Sequence, residues 1–378
     1  MTRPPSFLKE TSLYVLIAFL LIIVSLLQKM LGEGSYVDTL IFLAFPGLIS
    51  GILFQMYSTL QGYPFRGQLL VYMNLILWML NIAYFFSYGK LEPNINLFFC
   101  LSFLFILFLN TRKVKDPSIL FFLMGGVFYA LAAILNLKAS NPLFVKHLMT
   151  VGFFMSVVFG SYYVFVPMLQ IESLRWKNFP WINLIVQFLS SLLLSLSWYL
   201  SHYKFISYSG LLLLLSFGML SYGVYDMLSQ RKSPIKGLDI SVQFLILGLF
   251  LCWFSLFIGI LTAASGNYGF LKLHIDGMLY GFLTIIKVGA SYHIVPFLLW
   301  WKVYAPRMGK EKIPTLKEVL DIKVAKLLLL AFPPLLTGLL LGDVANPLLE
   351  RSFSFLLALV TGYYTAKLVP LTLKTLKA

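Results

Sequence analysis

The chain has 378 residues and a formal net charge of +15, with 60% hydrophobic and only 11% charged residues and a mean hydropathy of +0.87. So little charge cannot cover the surface of a water-soluble domain, which excludes that class. Long continuous apolar runs, rather than short alternating segments, argue against a β-barrel. The composition therefore predicts an all-α transmembrane protein that contacts the lipid bilayer.

Hydropathy predicts about twelve membrane-spanning helices in a single polytopic domain, residues 1–378. The segment before the first of them lacks the small-residue cleavage site of a signal peptide, so we expect span 1 to be retained. The predicted spans cover approximately 12–31, 37–58, 68–88, 94–110, 117–137, 142–169, 180–200, 205–229, 239–263, 271–300, 323–342 and 346–373.

Basic residues cluster in the loops after spans 4, 6, 8 and 10, whereas the opposite loops carry mostly single charges such as Lys29 and Lys90. By the positive-inside rule this asymmetry places both termini in the cytoplasm, and it predicts a multi-pass protein of the bacterial cytoplasmic (inner) membrane. The positive charge is then a topology signal, and we expect no nucleic-acid partner. The clustered residues are Arg112, Lys113 and Lys115, then Arg175 and Lys177, then Arg231, Lys232 and Lys236, and the basic residues from Lys302 to Lys323.

Spans 6 and 10 contain an internal repeat. The stretch HLMTVGFFMSVVFGSYYVFVPM begins at His147, and DGMLYGFLTIIKVGASYHIVPF begins at Asp276. Aligned without gaps, they match at two glycines, a tyrosine and a Val-Pro pair, which chance does not readily produce. The matched positions are Gly152 with Gly281, Gly160 with Gly289, Tyr163 with Tyr292, Val166 with Val295 and Pro167 with Pro296.

Span 2 supplies a weaker third copy. Setting Gly51 against Gly160 places Asp38 at the position of His147 and Asp276. Because the copies lie four spans apart, they predict three four-helix units in a pseudo-threefold arrangement, each with one polar helix near a central axis. The approximate units are 12–110, 117–229 and 239–373.

His274 is an ionisable residue within a predicted span, which by default marks a functional site. At 100° per residue it shares one helix face with Gly277 and Gly281. Such a face could hold a planar haem with the imidazole on its iron. Alternatively, the histidine bonds to a neighbouring helix, and the glycines allow close helix packing.

Three histidines fall at the same predicted depth, near the outer ends of spans 6, 7 and 10. They are His147, His202 and His274. Imidazoles are common ligands of haem iron and copper, so His147 and His202 are also candidate metal ligands. The alternative for His202 is an interfacial residue within an aromatic belt.

Asp276 and Lys287 share one face of an ideal helix, on the side almost opposite His274. A charged residue deep in a membrane needs a partner or water. The pair therefore indicates a candidate proton path or quinone site, although each residue could instead bond to other helices.

The topology, with polar helices at spans 2, 6 and 10, resembles the catalytic subunit of the haem-copper oxidase superfamily. Span 10 carries His274-Ile275-Asp276, two glycines and His293-Ile294-Val295-Pro296, similar to that family's His-x-His, glycine-bearing stretch and His-x-x-Pro. The resemblance implies that His274 is an axial ligand of a haem b. Motif-level agreement is confined to spans 6 and 10, as in a divergent short relative. The haem-binding NnrS-like proteins, also of about twelve spans, are a functional analogy without a close motif match.

The departures from the family pattern are specific. Asp276 and Asp38 stand where the family has its low-spin haem ligands, so the resemblance implies that this haem is absent. His147 matches the copper ligand of helix 6, but His202 stands alone where the family has an adjacent pair. The tyrosine that often follows the helix 6 histidine is also missing.

The leading hypothesis is a haem-binding membrane redox protein with one haem near the outer face. His274 is one axial ligand, and His147 is either the second or a copper ligand together with His202. Quinone, a c-type cytochrome or other respiratory-chain subunits are the expected partners, and whether the protein is an oxidoreductase stays open. The alternatives are a cofactor-poor accessory subunit of a respiratory complex and, ranked last, a transporter with Lys287 on its solute path.

Overall fold

A computed structural model describes residues 8–114, 116–138, 140–229 and 237–377, and the regular elements of these residues are helices. Within these ranges, twelve helical stretches are long and apolar enough to cross a membrane, which confirms the predicted number and class. Lys115, Arg231, Lys232 and Lys236 lie outside the described residues. Spans 1 to 12 are Glu10–Leu31, Tyr36–Gln61, Gln68–Tyr88, Pro93–Asn110, Pro117–Leu137, Pro142–Gln170, Phe179–Tyr199, Tyr203–Ser229, Ile240–Ser265, Tyr268–Arg307, Ile322–Ala345 and Pro347–Lys377.

Local capping chemistry sets several of these boundaries. Side-chain carboxylates accept hydrogen bonds from free amides at the starts of spans 4, 5, 9 and 11. Span 1 ends at Gly32 and span 3 at Gly89, which adopt left-handed φ values of 81° and 67° that glycine reaches without strain. The capping acids are Glu92, Asp116, Asp239 and Asp321.

Spans 2, 6 and 10 form the centre of the bundle. In the apolar stretches of these spans 89%, 89% and 83% of the residues are buried, against 28–61% in the other nine. The surrounding spans expose large apolar side chains over much of their surface, as expected for helices that face lipid tails. We call the end of the bundle at which spans 2, 6 and 10 begin the site end.

Each central span contains a π-helical segment at the same aligned position. The segments begin at Thr39, Leu148 and Gly277, each twelve residues before an aligned repeat glycine. Span 2 consists of Tyr36–Asp38, π-helical Thr39–Ala44 and Phe45–Gln61; span 6 of Pro142–His147, π-helical Leu148–Phe154 and Met155–Gln170. Span 10 begins with the 3₁₀ turn Tyr268–Phe270, the α-helix Leu271–Asp276 and the π-helix Gly277–Thr284. It continues with the α-helix Ile285–Leu299, the π-helix Trp300–Tyr304 and the 3₁₀ turn Ala305–Arg307. A short α-helix, Leu316–Val319, follows span 10.

A π-helical turn leaves a backbone carbonyl without its usual partner, and side chains satisfy these carbonyls here. In span 2 the Trp78 indole N–H donates to the Leu43 carbonyl at 2.9 Å. In span 6 Gln187 and Ser191 of span 7 donate to the Val151 carbonyl at 3.2 and 3.0 Å. In span 10 the Thr284 hydroxyl donates to the Leu279 carbonyl at 2.8 Å.

The packing of the spans repeats every four helices. Spans 1, 5 and 9 each pack against the central span that follows, and spans 4, 8 and 12 pack against spans 2, 6 and 10. Span 4 also contacts span 5, span 8 contacts span 9, and span 12 contacts span 1. The last of these contacts brings the first and last spans together and closes the ring around the central spans.

The aligned glycines of spans 6 and 10 differ in the space around them, which gives a matched test of the packing. A Cβ at Gly152 would lie 2.6 Å from the Phe128 ring, whereas one at Gly281 would lie 3.6 Å from Leu251. We expect Gly152→Ala to lower the free energy of unfolding by about 1–3 kcal/mol, as overpacking does. Gly281→Ala should be tolerated. Thermal unfolding in detergent checks this, and equal midpoints for the two variants would contradict it.

Candidate functional site

A cavity of about 480 Å³ lies at the site end, between spans 2, 6, 7, 8, 9 and 10. Its walls are mostly aliphatic, with a few polar groups, which is the usual composition of a small-molecule or cofactor site. The side chains with polar atoms that line it are Lys146, His147, Thr150, Trp198, Tyr203, Thr262, Tyr268 and His274.

His147 lines this cavity from the last position of the first short helix of span 6. Its Nδ1 lies 2.7 Å from the Leu143 carbonyl oxygen, and its ring stacks on Trp198 at 4.6 Å between centroids. Because a carbonyl can only accept, Nδ1 carries the proton in this contact. The neutral ring then keeps a lone pair on Nε2, the atom that can bind a metal.

His274 lines the same cavity from span 10. Its Nδ1 lies 2.8 Å from the Ser255 carbonyl oxygen of span 9, so the same tautomer follows. Gly259 of span 9 makes room for the ring, since a Cβ there would lie 2.6 Å from its Nδ1. The structure therefore brings together the two histidines that the sequence singled out as axial ligands.

This pair of imidazoles has the features of metal-ligating histidines. A backbone carbonyl that holds Nδ1–H fixes both the tautomer and the ring orientation, and raises the basicity of Nε2. The two rings come from non-adjacent spans and line one largely apolar cavity. Two neutral nitrogen donors in such surroundings fit a haem iron better than a hard cation, which prefers oxygen ligands.

His202 lies apart from this arrangement. Its side chain is exposed, its Nδ1 accepts a hydrogen bond from the Phe205 amide at 3.3 Å, and the neighbouring Tyr203 lines the cavity instead. Across the described ranges, no group of three or more His, Cys, Asp or Glu side chains is placed to hold a metal ion. The structure therefore does not support a copper site formed by His147 and His202.

Gly277 and Gly281 face span 9. A Cβ on Gly277 would collide with the Ser255 hydroxyl oxygen, and one on Gly281 would meet Leu251 at 3.6 Å. These contacts match the alternative in which the glycines allow close helix packing. Their predicted place on one face with His274 assumed an α-helix, whereas both glycines belong to the π-helical segment.

Asp276 belongs to a buried ion cluster that joins four spans. Lys29 of span 1 lies at its centre, with Nζ at 2.5 Å from Asp276, 3.0 Å from Asp343 and 2.7 Å from Glu350. Lys272, whose side chain is exposed, forms a further ion pair with Glu350 at 3.1 Å. Sequence reasoning treated Lys29 as a loop charge and missed this cluster. The available signal was a lysine within an apolar stretch, which requires a buried partner.

Lys287 does not join Asp276. Its Nζ lies 3.9 Å from the ring centroid of Phe45 and 5.5 Å from that of Phe154. The side chain is buried, and within the described part of the chain its amine has no hydrogen-bond partner. Asp276 and Lys287 therefore belong to separate environments on span 10.

No family model matches this sequence. The chain is similar to an uncharacterized protein of Aquifex aeolicus (strain VF5), with 26% identity over 307 residues, covering 78% of this chain and 80% of that protein. This similarity carries no statement of activity, so a functional proposal depends on the residues of the cavity.

Proposed function

We propose that the protein is a haem-binding membrane redox protein in which His147 and His274 bind one haem b in the cavity at the site end. The observation that carries the proposal is the pairing of two imidazoles on one apolar cavity, each with Nδ1 held by a backbone carbonyl. The bound haem supplies a reversible one-electron iron couple.

The residues of this chain position and shield that group. The Leu143 and Ser255 carbonyls orient the two rings, and Trp198 packs against His147. Aliphatic side chains form most of the cavity wall. Lys146 also lines it, and its cationic Nζ is suited to an acidic group such as a propionate, although it already pairs with Asp38 at 2.7 Å.

Two histidine ligands from this chain would favour electron transfer over gas binding, because they would leave no coordination position on the iron for a gas. Quinone, a c-type cytochrome or another respiratory-chain subunit is the proposed partner. The asymmetry of basic loops supports a place in the bacterial cytoplasmic membrane, with both termini in the cytoplasm and the cavity towards the outer face.

We also propose that the twelve spans form three four-helix units around a pseudo-threefold axis, as in the haem-copper oxidase catalytic subunit. The π-helical segments at aligned positions and the packing that repeats every four spans support this arrangement. We propose that this chain has no counterpart of the family's low-spin haem. The resemblance places Asp38 and Asp276 at the family's ligand positions, and each of these aspartates is bound to a lysine.

The test is the haem content and spectrum of the detergent-purified protein. We expect about one haem b per chain by pyridine-haemochrome assay, with the spectrum of a six-coordinate low-spin iron. His202→Ala serves as the matched control and should leave the spectrum unchanged. Protein purified from haem-replete cells without haem or iron would refute the proposal.

A further inference from the structure

Lys287 is buried among aromatic rings at the centre of the bundle. Its side chain is 5% exposed, and Phe45 of span 2 and Phe154 of span 6 face its Nζ at 3.9 and 5.5 Å. Among the described residues the amine has neither a hydrogen bond nor an ion pair. Spans 9 and 12 also pack on span 10, and their fully buried titratable side chains among the described residues, Cys252 and Tyr364, are ordinarily uncharged.

The amine lies next to the floor of the cavity. Leu283 lines the cavity, and Lys287 follows it by four positions along span 10. Side chains in a helix lean towards its N-terminus, which here is the direction of the cavity. The two rings that face the amine have the same spacing from the cavity. Phe45 follows the cavity residue Ile41 by four positions, and Phe154 follows the cavity residue Thr150 by four positions.

We infer that Lys287 is a proton-binding site coupled to the redox state of the cavity. This inference rests on the proposed haem. The protonated form of an unpaired lysine is unfavourable in a low-dielectric interior. The negative charge of an electron placed nearby stabilises this protonated form. The lysine amine would therefore take up one proton from water when an external one-electron donor reduces the group in the cavity, and it would return the proton to water when that electron leaves.

The test is a spectroelectrochemical titration of the purified holoprotein. Over about pH 6 to pH 9, the midpoint potential should fall as the pH rises, by at most about 59 mV per pH unit for one proton per electron. Lys287→Met should remove this dependence. Lys90→Met, the same change at an exposed lysine, should retain it.

A flat wild-type potential overturns the inference, as does an unchanged slope in Lys287→Met. If that variant fails to fold, Lys287→Arg provides a second measurement, because a guanidinium keeps its proton and should also remove the slope. Absence of a haem spectrum removes the proposed function, and this inference with it. A haem spectrum with a flat potential overturns the inference alone.

Discussion

Replacing His274 with alanine is expected to abolish the low-spin haem spectrum. The variant removes one of the two proposed axial nitrogens and leaves His147 as the single ligand. We expect haem affinity to fall by more than about 100-fold, since even changes outside the ligand shell cost 10–100-fold in metal affinity. Any haem that remains should be high-spin, five-coordinate and able to bind carbon monoxide. Visible absorption and electron paramagnetic resonance spectra measure these changes.

The matched variants make this experiment decisive. His147→Ala should behave like His274→Ala, because the two rings have equivalent roles. In His274→Gly, added imidazole should restore the low-spin spectrum by occupying the vacated position. A wild-type spectrum in both alanine variants would show that the haem lies elsewhere or is held by other residues.

Replacing Lys29 with methionine is expected to prevent folding or to lower stability severely. The lysine forms ion pairs with the buried carboxyl groups of Asp276 and Asp343, whose side chains have 0% exposure, and it also binds Glu350. Removing one partner of a buried ion pair typically costs about 3–5 kcal/mol, because a charge is left without compensation. That cost is a large part of the stability of an ordinary domain. Monodisperse yield and thermal unfolding in detergent measure the effect.

Two controls separate the buried pairing from a general loss of charge. Lys272→Met removes a lysine that is 55% exposed and pairs with Glu350. This variant should lower the free energy of unfolding by at most about 1 kcal/mol. Adding Asp276→Asn to Lys29→Met should recover part of the lost stability, because one uncompensated carboxylate is removed. Equal unfolding temperatures for the wild type and Lys29→Met would contradict the expectation.

The sequence predicted the helical architecture well because apolar windows of membrane length are a direct physical requirement of the bilayer. It also singled out spans 2, 6 and 10, and these are the most buried of the twelve spans. His147 and His274 were recognisable because, with His202, they fall at one predicted membrane depth, and the structure places His147 and His274 on one cavity.

The sequence did not correctly predict which residues of span 10 lie on the same helix face. The assumption of 100° per residue grouped Gly277 with His274, and Asp276 with Lys287. The π-helical segment Gly277–Thr284 interrupts that periodicity, so residues before and after it no longer share the predicted faces. The partner of Asp276 was hidden for a different reason, since Lys29 lies in the first span and no local pattern links the two residues.

The Lys29 cluster has a consequence for how the protein is made. Lys29 and Asp343 are 314 residues apart in the chain. At a synthesis rate of about 5–20 residues per second, the lysine waits on the order of 15 to 60 s for its last partners. Until Asp276 and then Asp343 and Glu350 are synthesised, the first helix holds a cation without its native partners, which makes its early stay in the lipid unfavourable. We therefore expect this helix to depend on the insertion machinery, or to rest near the membrane surface, until the C-terminal helices arrive.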